Sequence, residues 1–206
     1  MPGTILPGNY GGSSALEWAE RLSRAGVEII QYREKHSSSE DQYNSCCELV
    51  QLSRRRLFRL IVNDRADIAA LAGAGGVHVG QQDIGVADAR RVCGAECWVG
   101  VSTHTLEQVR EAAETSADYI AVGPIFPTST KEHPDPVVGV DFVRRARELT
   151  SKPLVAIGGI TVERAEEVYR AGADSLAVAS DLLTAEDPQH RVAEYLEVAR
   201  QVRGGG

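Results

Sequence analysis

The chain has 206 residues, of which 43% are hydrophobic and 25% are charged, a composition typical of a folded globular domain. Its 22 basic and 29 acidic side chains give a formal net charge of −7, which argues against binding to a nucleic-acid backbone. No apolar run approaches the roughly 20 residues that a membrane-spanning helix needs, and the N-terminus lacks a signal-peptide pattern. We therefore expect one cytoplasmic domain over residues 1–206, with neither a nucleic-acid nor a membrane partner.

The four cysteines are too few and too irregularly spaced for a disulfide framework. Cys46 and Cys47 are neighbours, and Cys93 and Cys97 are separated by three residues, which matches neither a redox motif nor a zinc ribbon. We expect buried or chemically idle thiols.

Short apolar runs rich in β-branched residues recur along the chain, each bounded by glycine, proline or polar residues. Such runs are typical of strands buried on both faces of a parallel sheet. The first candidate, at 4–6, is weak because proline and glycine follow it at once. Seven firmer runs come after it, at 27–31, 60–63, 76–79, 97–101, 118–122, 153–157 and 175–179.

Amphipathic segments lie between these runs and carry signals for the start of a helix. Ser39 with Gln42, and Thr105 with Gln108, have capping-box spacing, and Thr161 precedes a glutamate-rich turn. Helices are predicted at 14–24, 65–72, 86–93 and 192–202, with a frayed tail at 203–206. Eight strand–helix units predict a single (β/α)8 TIM barrel with a weak first strand, whereas seven or fewer would fit an open doubly wound sheet. The lack of a G-x-G-x-x-G motif and the polar residues after many strands favour the barrel.

In such a barrel, the residues just past each strand share the face that carries the active site. Gln31, Arg33 and Lys35 follow strand two at alternate positions, so they point the same way while the chain stays extended. Two cations and an amide directed at one spot indicate an anionic substrate group. The alternative is a solvated basic stretch that pairs with Glu34 or Glu40.

Asn63 and Asp64 follow strand three, and Asp83 follows strand four, its neighbour in a barrel. Two carboxylates with substrate phosphate oxygens are a typical Mg²⁺ environment, so the spacing indicates a metal–diphosphate site. The alternative is that each aspartate caps the helix that follows it.

A long loop follows strand six and carries Thr128, Ser129, Thr130 and Lys131, a phosphate-binding set of side chains that lacks P-loop order. The pair 158–159 and Ser180 follow strands seven and eight, where barrels recurrently bind phosphate. One anion site for a diphosphate and a second for a monophosphate indicate a transferase that couples two substrates.

Two histidines have open roles. His78 lies within strand four, where its ring either faces the site or is hydrogen-bonded in the core. His104 follows strand five, where it is placed for chemistry or simply exposed on a loop.

Together these segments resemble the thiamine-phosphate synthase family. The matching runs are QYREK at 31–35, VNDR at 62–65, GVHVGQQD at 76–83, GVSTH at 100–104, VGPIFPTSTK at 122–131 and AIGGI at 156–160. They occur in order across most of the chain. Family members usually begin with a firm first strand ending in Thr-Asp, whereas here 4–6 is followed by Pro7 and Gly8.

The resemblance implies a transferase that joins 4-amino-5-hydroxymethyl-2-methylpyrimidine diphosphate to a thiazole phosphate, with or without a carboxylate, and releases diphosphate. It implies that Asp64 and Asp83 hold Mg²⁺ as the cofactor. The residues implied to contact the pyrimidine or diphosphate are Gln31, Arg33, Lys35, Asn63, His78, Ser102 and Lys131, of which Arg33, Lys35, Ser102 and Lys131 are the catalytic ones. Those implied to hold the thiazole phosphate are Thr128, Thr130, Gly159, Ala179 and Ser180.

Two other functions stay open at this stage. A thiazole tautomerase of the same fold would use a histidine such as His104 and would need no metal–diphosphate site. A non-catalytic barrel that binds a phosphorylated ligand would use the aspartates only as helix caps. The sequence is also compatible with a homo-oligomer.

Overall fold

Eight parallel strands close into a barrel in the computed structural model, which describes residues 2–128 and 135–204. Each strand pairs with its neighbour in the sequence, and β1 also pairs with β8, so the sheet has no free edge. The strands are β1 Pro2–Pro7, β2 Ile29–Arg33, β3 Arg59–Asn63, β4 Gly76–Val79, β5 Trp98–Thr103, β6 Tyr119–Val122, β7 Leu154–Ile157 and β8 Ser175–Val178.

Helices alternate with the strands and cover the outside of the barrel. They are α1 Ala15–Arg24, α2 Ser39–Arg56, α3 Ala66–Ala72, α4 Val86–Cys93, α5 Leu106–Glu114, α6 Val140–Leu149, α7 Val162–Arg170, α8 Ser180–Leu183 and α9 Pro188–Gly204. A short antiparallel pairing of Asn9–Tyr10 with Ser13–Ser14 links β1 to α1. The predicted (β/α)8 barrel is therefore confirmed.

The first strand is longer than its sequence signal indicates. It spans Pro2–Pro7, and its register places Thr4 opposite Ile30 on one side and Val178 on the other. The Thr4 hydroxyl donates to the Val178 carbonyl oxygen at 2.8 Å. Pairing on both sides explains how a strand with a weak local pattern closes the barrel.

Several predicted boundaries are wrong by one or two residues, because polar residues continue the ladder at the strand ends. Strand two begins at Ile29 and continues to Arg33, and strand five continues to Thr103. Ser38, not Ser39, caps α2, and its hydroxyl accepts the Asp41 N–H at 3.1 Å. The capping box of Thr105 and Gln108 is confirmed.

The tail predicted at 203–206 is also wrong in its first half. Arg203 and Gly204 belong to α9, and the Arg203 guanidinium donates to the Asp174 carbonyl oxygen at 2.8 Å. Residues 205 and 206 lie outside the described part of the chain.

Outward-facing strand residues form the main core between the barrel and the helices. Ile30, Leu60, Val99, Ile120 and Leu154 are almost completely buried there. The inward-facing positions instead carry several polar side chains in the upper half of the barrel. A cavity of about 330 Å³ occupies the lower half, and its walls are mainly apolar, with isoleucines at positions 5, 29, 61 and 157.

The predicted behaviour of the cysteines agrees with the structure. All four are free, and Cys46 and Cys97 are buried. Burial raises the pKa of both of these thiols to about 12, so they are poor nucleophiles at neutral pH. In the described residues, no cluster of three or more His, Cys, Asp or Glu side chains could bind a metal.

An arginine–aspartate pair fastens the end of the barrel opposite the strand carboxyl ends. The Asp118 carboxylate accepts the Val99 N–H at 2.6 Å and pairs with Arg90 at 2.5 Å. The same arrangement recurs two strands later, where Asp174 accepts the Leu154 N–H and pairs with Arg147, each at 2.8 Å. The first pair connects α4, through Arg90, with the start of β5 and with Asp118 just before β6. The second connects α6, through Arg147, with the start of β7 and with Asp174 just before β8.

Asp118→Ala is expected to lower the free energy of unfolding by about 2 kcal/mol, because a backbone N–H and a guanidinium lose a charged acceptor. Urea denaturation followed by circular dichroism measures the change. Asp141→Ala, which removes an exposed carboxylate on α6, is the control and should change stability by less than about 0.5 kcal/mol. Equal effects of the two substitutions would show that the pair does not fasten the barrel.

Candidate active site

Strands β2, β3 and β4 lie side by side and end at the same mouth of the barrel. The register places Asn63 opposite His78, and Asp64 follows β3 with its N–H donating to the His78 carbonyl oxygen at 2.8 Å. The residues predicted to bind the diphosphate or the pyrimidine therefore lie on these three neighbouring strands and the loops that follow them. They are Gln31, Arg33, Lys35, Asn63, Asp64 and Asp83, and among them Lys35 pairs with Asp64.

Asp64 and Asp83 bring two carboxyl groups into direct contact. Burial raises the pKa of Asp64, and the neighbouring Asp83 raises it further. Lys35 opposes this rise, because its ammonium lies 3.1 Å from the Asp64 carboxylate. The backbone of Asp64 has a φ of 62°, a left-handed conformation that is uncommon for a residue other than glycine. The site thus concentrates negative charge in a partly buried position.

The helix-cap interpretation of these aspartates is wrong. Arg65 is the N-cap of α3 and Gly85 is the N-cap of α4, and neither helix has a side-chain cap hydrogen bond. Asp83 instead accepts the Gly80 N–H at 2.7 Å, a bond that holds its own loop.

The paired carboxylates fit a hard divalent cation. Two oxygen donors from neighbouring loops are the protein share that Mg²⁺ commonly takes, and water and phosphate oxygens complete its octahedron. A cation placed here would also relieve the repulsion between the two carboxylates.

Lys35 pairs with Asp64 and not with Glu34 or Glu40, so it is not part of an isolated solvated stretch. Glu34 turns back on its own loop, where its carboxylate accepts the His36 N–H at 2.6 Å. Arg33 is the last residue of β2 and lies partly buried at the mouth.

A hydrogen-bonded row of side chains crosses the barrel beneath the mouth. His78 is within 2.8 Å of the Ser102 hydroxyl through Nε2 and within 3.0 Å of the Tyr119 hydroxyl through Nδ1. The Gln31 side chain bonds to the same tyrosine hydroxyl. His78 is thus a buried, hydrogen-bonded histidine that contacts one predicted substrate residue, Ser102, and its own part in substrate binding stays a prediction.

Tyr119 is the member of this row that sequence reasoning missed. In the sequence it stands at the start of an apolar run, where an aromatic residue is typical of core packing. A glycine directly opposite Tyr119, at Gly100, would have indicated space for an inward-pointing ring, but this pairing is known only once the strand register is known.

The other side of the mouth is formed by the ends of β6, β7 and β8. Gly158 and Gly159 follow β7 with positive φ angles of 96° and 61°. The loop after β6 packs on this turn, since the Phe126 N–H donates to the Gly158 carbonyl oxygen at 3.0 Å. Ala179 and Ser180 lie at the junction of β8 with α8, and Thr128 lies partly buried at the end of the described part of the loop.

Ser129, Thr130 and Lys131 lie outside the described residues, so their assignments stay predictions.

His104 has both ring nitrogens engaged. Nδ1 is 2.6 Å from the Gly123 carbonyl oxygen, and Nε2 is 3.3 Å from the Asp135 carboxylate. A ring held in this way is poorly suited to shuttle protons to a substrate, which argues against the tautomerase interpretation.

Comparison with known protein families gives one consistent result. The family described as thiamine monophosphate synthase matches residues 4–182. A thiamine-phosphate synthase from Koribacter versatilis is 49% identical over 181 residues, which cover 88% of this chain and 84% of that relative. A second thiamine-phosphate synthase, from Chloroflexus aurantiacus, is 47% identical over 162 residues, which cover 79% of this chain and 74% of that relative.

Solved structures agree with the sequence relatives. Thiamine phosphate pyrophosphorylase from Pyrococcus furiosus superposes with a TM-score of 0.87 at 29% identity, covering 98% of this chain and 96% of that one. The 3-hexulose-6-phosphate synthase from Salmonella typhimurium has a TM-score of 0.73 at 17% identity, covering 98% of this chain and 100% of that one, and shares only the fold.

Gly159→Ala is expected to destabilise the protein by about 3 kcal/mol, because it adds steric overlap to left-handed backbone strain. A Cβ atom there would lie 2.3 Å from the Pro127 carbonyl oxygen. Gly73→Ala is the matched control, since Gly73 has a φ of 69° and a new Cβ would only reach ordinary contact at 3.6 Å. Its expected cost is about 1 kcal/mol. Chemical denaturation that gave the two variants equal stability would refute the close packing at Gly159.

Proposed function

The chain belongs to the thiamine monophosphate synthase family and is thus a transferase of thiamine biosynthesis, and we propose how its barrel mouth carries out the reaction. The substrates are 4-amino-5-hydroxymethyl-2-methylpyrimidine diphosphate and hydroxyethylthiazole phosphate or its carboxylate. The products are thiamine phosphate and diphosphate. The contact between Asp64 and Asp83 beside Lys35 is the observation that carries this assignment.

Asp64 and Asp83 would hold Mg²⁺ together with the diphosphate. When bound, Mg²⁺ would supply positive charge that makes the diphosphate a better leaving group. We assign Arg33, Lys35 and Lys131 to ion pairs with the diphosphate oxygens. Asn63 and Ser102 are assigned to further hydrogen bonds that these oxygens accept. These groups would stabilise charge as it develops on the leaving group, which is usually the largest contribution to catalysis.

Gln31 and His78 are assigned to the pyrimidine. They lie deeper in the barrel than Lys35, so a pyrimidine bound against them would place its diphosphate toward the carboxylates at the mouth. The thiazole phosphate is assigned to Thr128, Thr130, Gly159, Ala179 and Ser180. Backbone N–H groups at such a glycine turn bind phosphate well, because no side chain keeps the oxygens away.

The reaction is assigned a dissociative course. The bond between the pyrimidine methylene carbon and the diphosphate oxygen breaks, and its electron pair leaves with diphosphate. The aminopyrimidine stabilises the resulting carbocation, and the lone pair of the thiazole nitrogen then forms the new carbon–nitrogen bond. No covalent bond to the protein forms, so the side chains bind, orient and stabilise charge.

We assign the protein to the cytoplasm, with these two small phosphorylated molecules as its partners. Across the described residues, no helix has the length and apolar character that a membrane crossing requires. A homo-oligomer remains a prediction.

Asp64→Ala and Lys131→Ala are each expected to lower turnover by about 100-fold, because each removes charge stabilisation from the leaving group. Turnover is measured by oxidising thiamine phosphate to fluorescent thiochrome, with Mg²⁺ and with excess EDTA. The wild-type protein should form product only with Mg²⁺. Glu148→Ala and Arg91→Ala alter exposed charged residues in the last turns of α6 and α4, at the end of the barrel opposite the mouth, and should retain wild-type turnover.

Wild-type turnover by Asp64→Ala, or product formation in excess EDTA, would contradict the metal–diphosphate assignment. Isomerisation of a thiazole phosphate without any thiamine phosphate would instead favour the tautomerase.

A further inference from the structure

Tyr119 holds the centre of the polar row that crosses the barrel. Its side chain points inward from β6, and its hydroxyl bonds to both His78 and Gln31. Its ring stacks on the imidazole of His78, with centroids 5.5 Å apart and an interplanar angle of 24°. The Tyr119 hydroxyl therefore connects Gln31 and His78, the two residues assigned to the pyrimidine, and His78 also contacts Ser102.

Gly100 makes room for this tyrosine. The two residues are direct neighbours across β5 and β6. A Cβ atom at position 100 would lie 2.0 Å from the Cζ atom of Tyr119 and 2.4 Å from its hydroxyl oxygen. Any larger residue at position 100 would displace the ring, so a glycine inside the strand keeps the hydroxyl where it is.

The space below the row gives the hydroxyl little other support. The cavity of about 330 Å³ borders Tyr119, His78 and Gln31 from the lower half of the barrel. Its remaining walls are mainly apolar, and a buried hydroxyl is costly unless it is hydrogen-bonded. The bonds to His78 and Gln31 therefore determine where the hydroxyl lies.

The donors and acceptors of the row are mutually dependent. The Gln31 side chain interacts with the phenol hydroxyl and opposes the rise that burial causes in the pKa of Tyr119, which is the effect expected of an amide N–H that donates to the phenol oxygen. The tyrosine hydroxyl is then free to donate to Nδ1 of His78, which lies 3.0 Å away, and in that tautomer the Nε2–H faces the Ser102 hydroxyl at 2.8 Å. With its amide nitrogen directed to Tyr119, Gln31 has its carbonyl oxygen available to accept a hydrogen bond from an amino group.

We propose that Tyr119 is a positioning residue that orients Gln31 and His78 for recognition of the aminopyrimidine. Its hydroxyl directs the Gln31 carbonyl oxygen toward the amino group of the pyrimidine and selects the Nε2–H tautomer of His78. The inference rests on the proposed assignment of Gln31 and His78 to the pyrimidine, and it adds a residue that does not itself contact the reacting atoms.

Steady-state kinetics of Tyr119→Phe test the role, since this substitution removes only the hydroxyl. The KM for the pyrimidine diphosphate should rise about tenfold, whereas the KM for the thiazole phosphate stays unchanged. Tyr169→Phe is the matched control: its hydroxyl is buried without a partner among the described residues, so both KM values should be unchanged. An unchanged pyrimidine KM in Tyr119→Phe, or equal rises in both KM values, would overturn the proposal.

A double-mutant cycle tests whether the effect passes through Gln31. In a Gln31→Ala background, Tyr119→Phe should raise the KM by a smaller factor than in the wild-type background, because only the contribution through His78 remains. Independent, multiplying effects of the two substitutions would overturn the proposal.

The tautomer of His78 provides a test that needs neither substrates nor a variant. In the wild-type protein, ¹⁵N NMR should show Nδ1 of His78 as unprotonated and Nε2 as protonated. The opposite tautomer would overturn the proposed orientation. If the wild-type protein shows the expected tautomer but forms no thiamine phosphate, the proposed reaction is wrong, whereas the hydrogen-bonded arrangement of Tyr119 and His78 is correct.

Discussion

Two neighbouring carboxylates at a partly buried position distinguish this edge of the barrel mouth. The pKa of Asp64 is raised by burial and by Asp83, and one ammonium, that of Lys35, opposes the rise. Repulsion of this kind is unfavourable in the absence of a counter-charge, and a divalent cation supplies one. The site is thus built to attract a cation, and a cation beside Arg33 and Lys35 in turn attracts a diphosphate. Bound in this way, the diphosphate is stabilised as the leaving group of the proposed reaction.

The barrel keeps the two aspartates together although they come from different loops. Asp64 follows β3 and Asp83 follows β4, and the two strands are neighbours whose register is set by Asn63 opposite His78. Because β1 pairs with both β2 and β8, the ends of β6 to β8 are held at a constant position relative to the ends of β2 to β4. The carboxylates can therefore act on one substrate while the glycine turn after β7 receives the other.

The upper and lower halves of the barrel interior differ in a way that suits this division. Hydrogen-bonded side chains occupy the layer beneath the mouth, where a pyrimidine needs directional contacts. Below them the barrel encloses a cavity whose walls are mainly apolar. Orientation in the polar layer is consequently determined by hydrogen bonds more than by close packing.

Much of the fold could be predicted because each buried strand is a short β-branched run, and runs such as 76–79 match the observed strand to the residue. The end of β2 was misjudged because the polar and charged side chains of Gln31 and Arg33 suggest a loop, while the ladder continues through Tyr32 to Arg33. The conserved geometry of a barrel mouth also allowed Asp64 and Asp83 to be paired from sequence. Tyr119 was not predictable, because its role depends on Gly100 across the sheet, and no local pattern reports a register.

The position of the bound cation would show whether Asp64 and Asp83 hold the metal. Crystals of the protein grown with Mn²⁺ and diphosphate would give an anomalous signal from the metal. We expect a peak bonded to at least one carboxylate oxygen of Asp64 or Asp83 and to the diphosphate. A peak bonded to the diphosphate but to neither aspartate would contradict it.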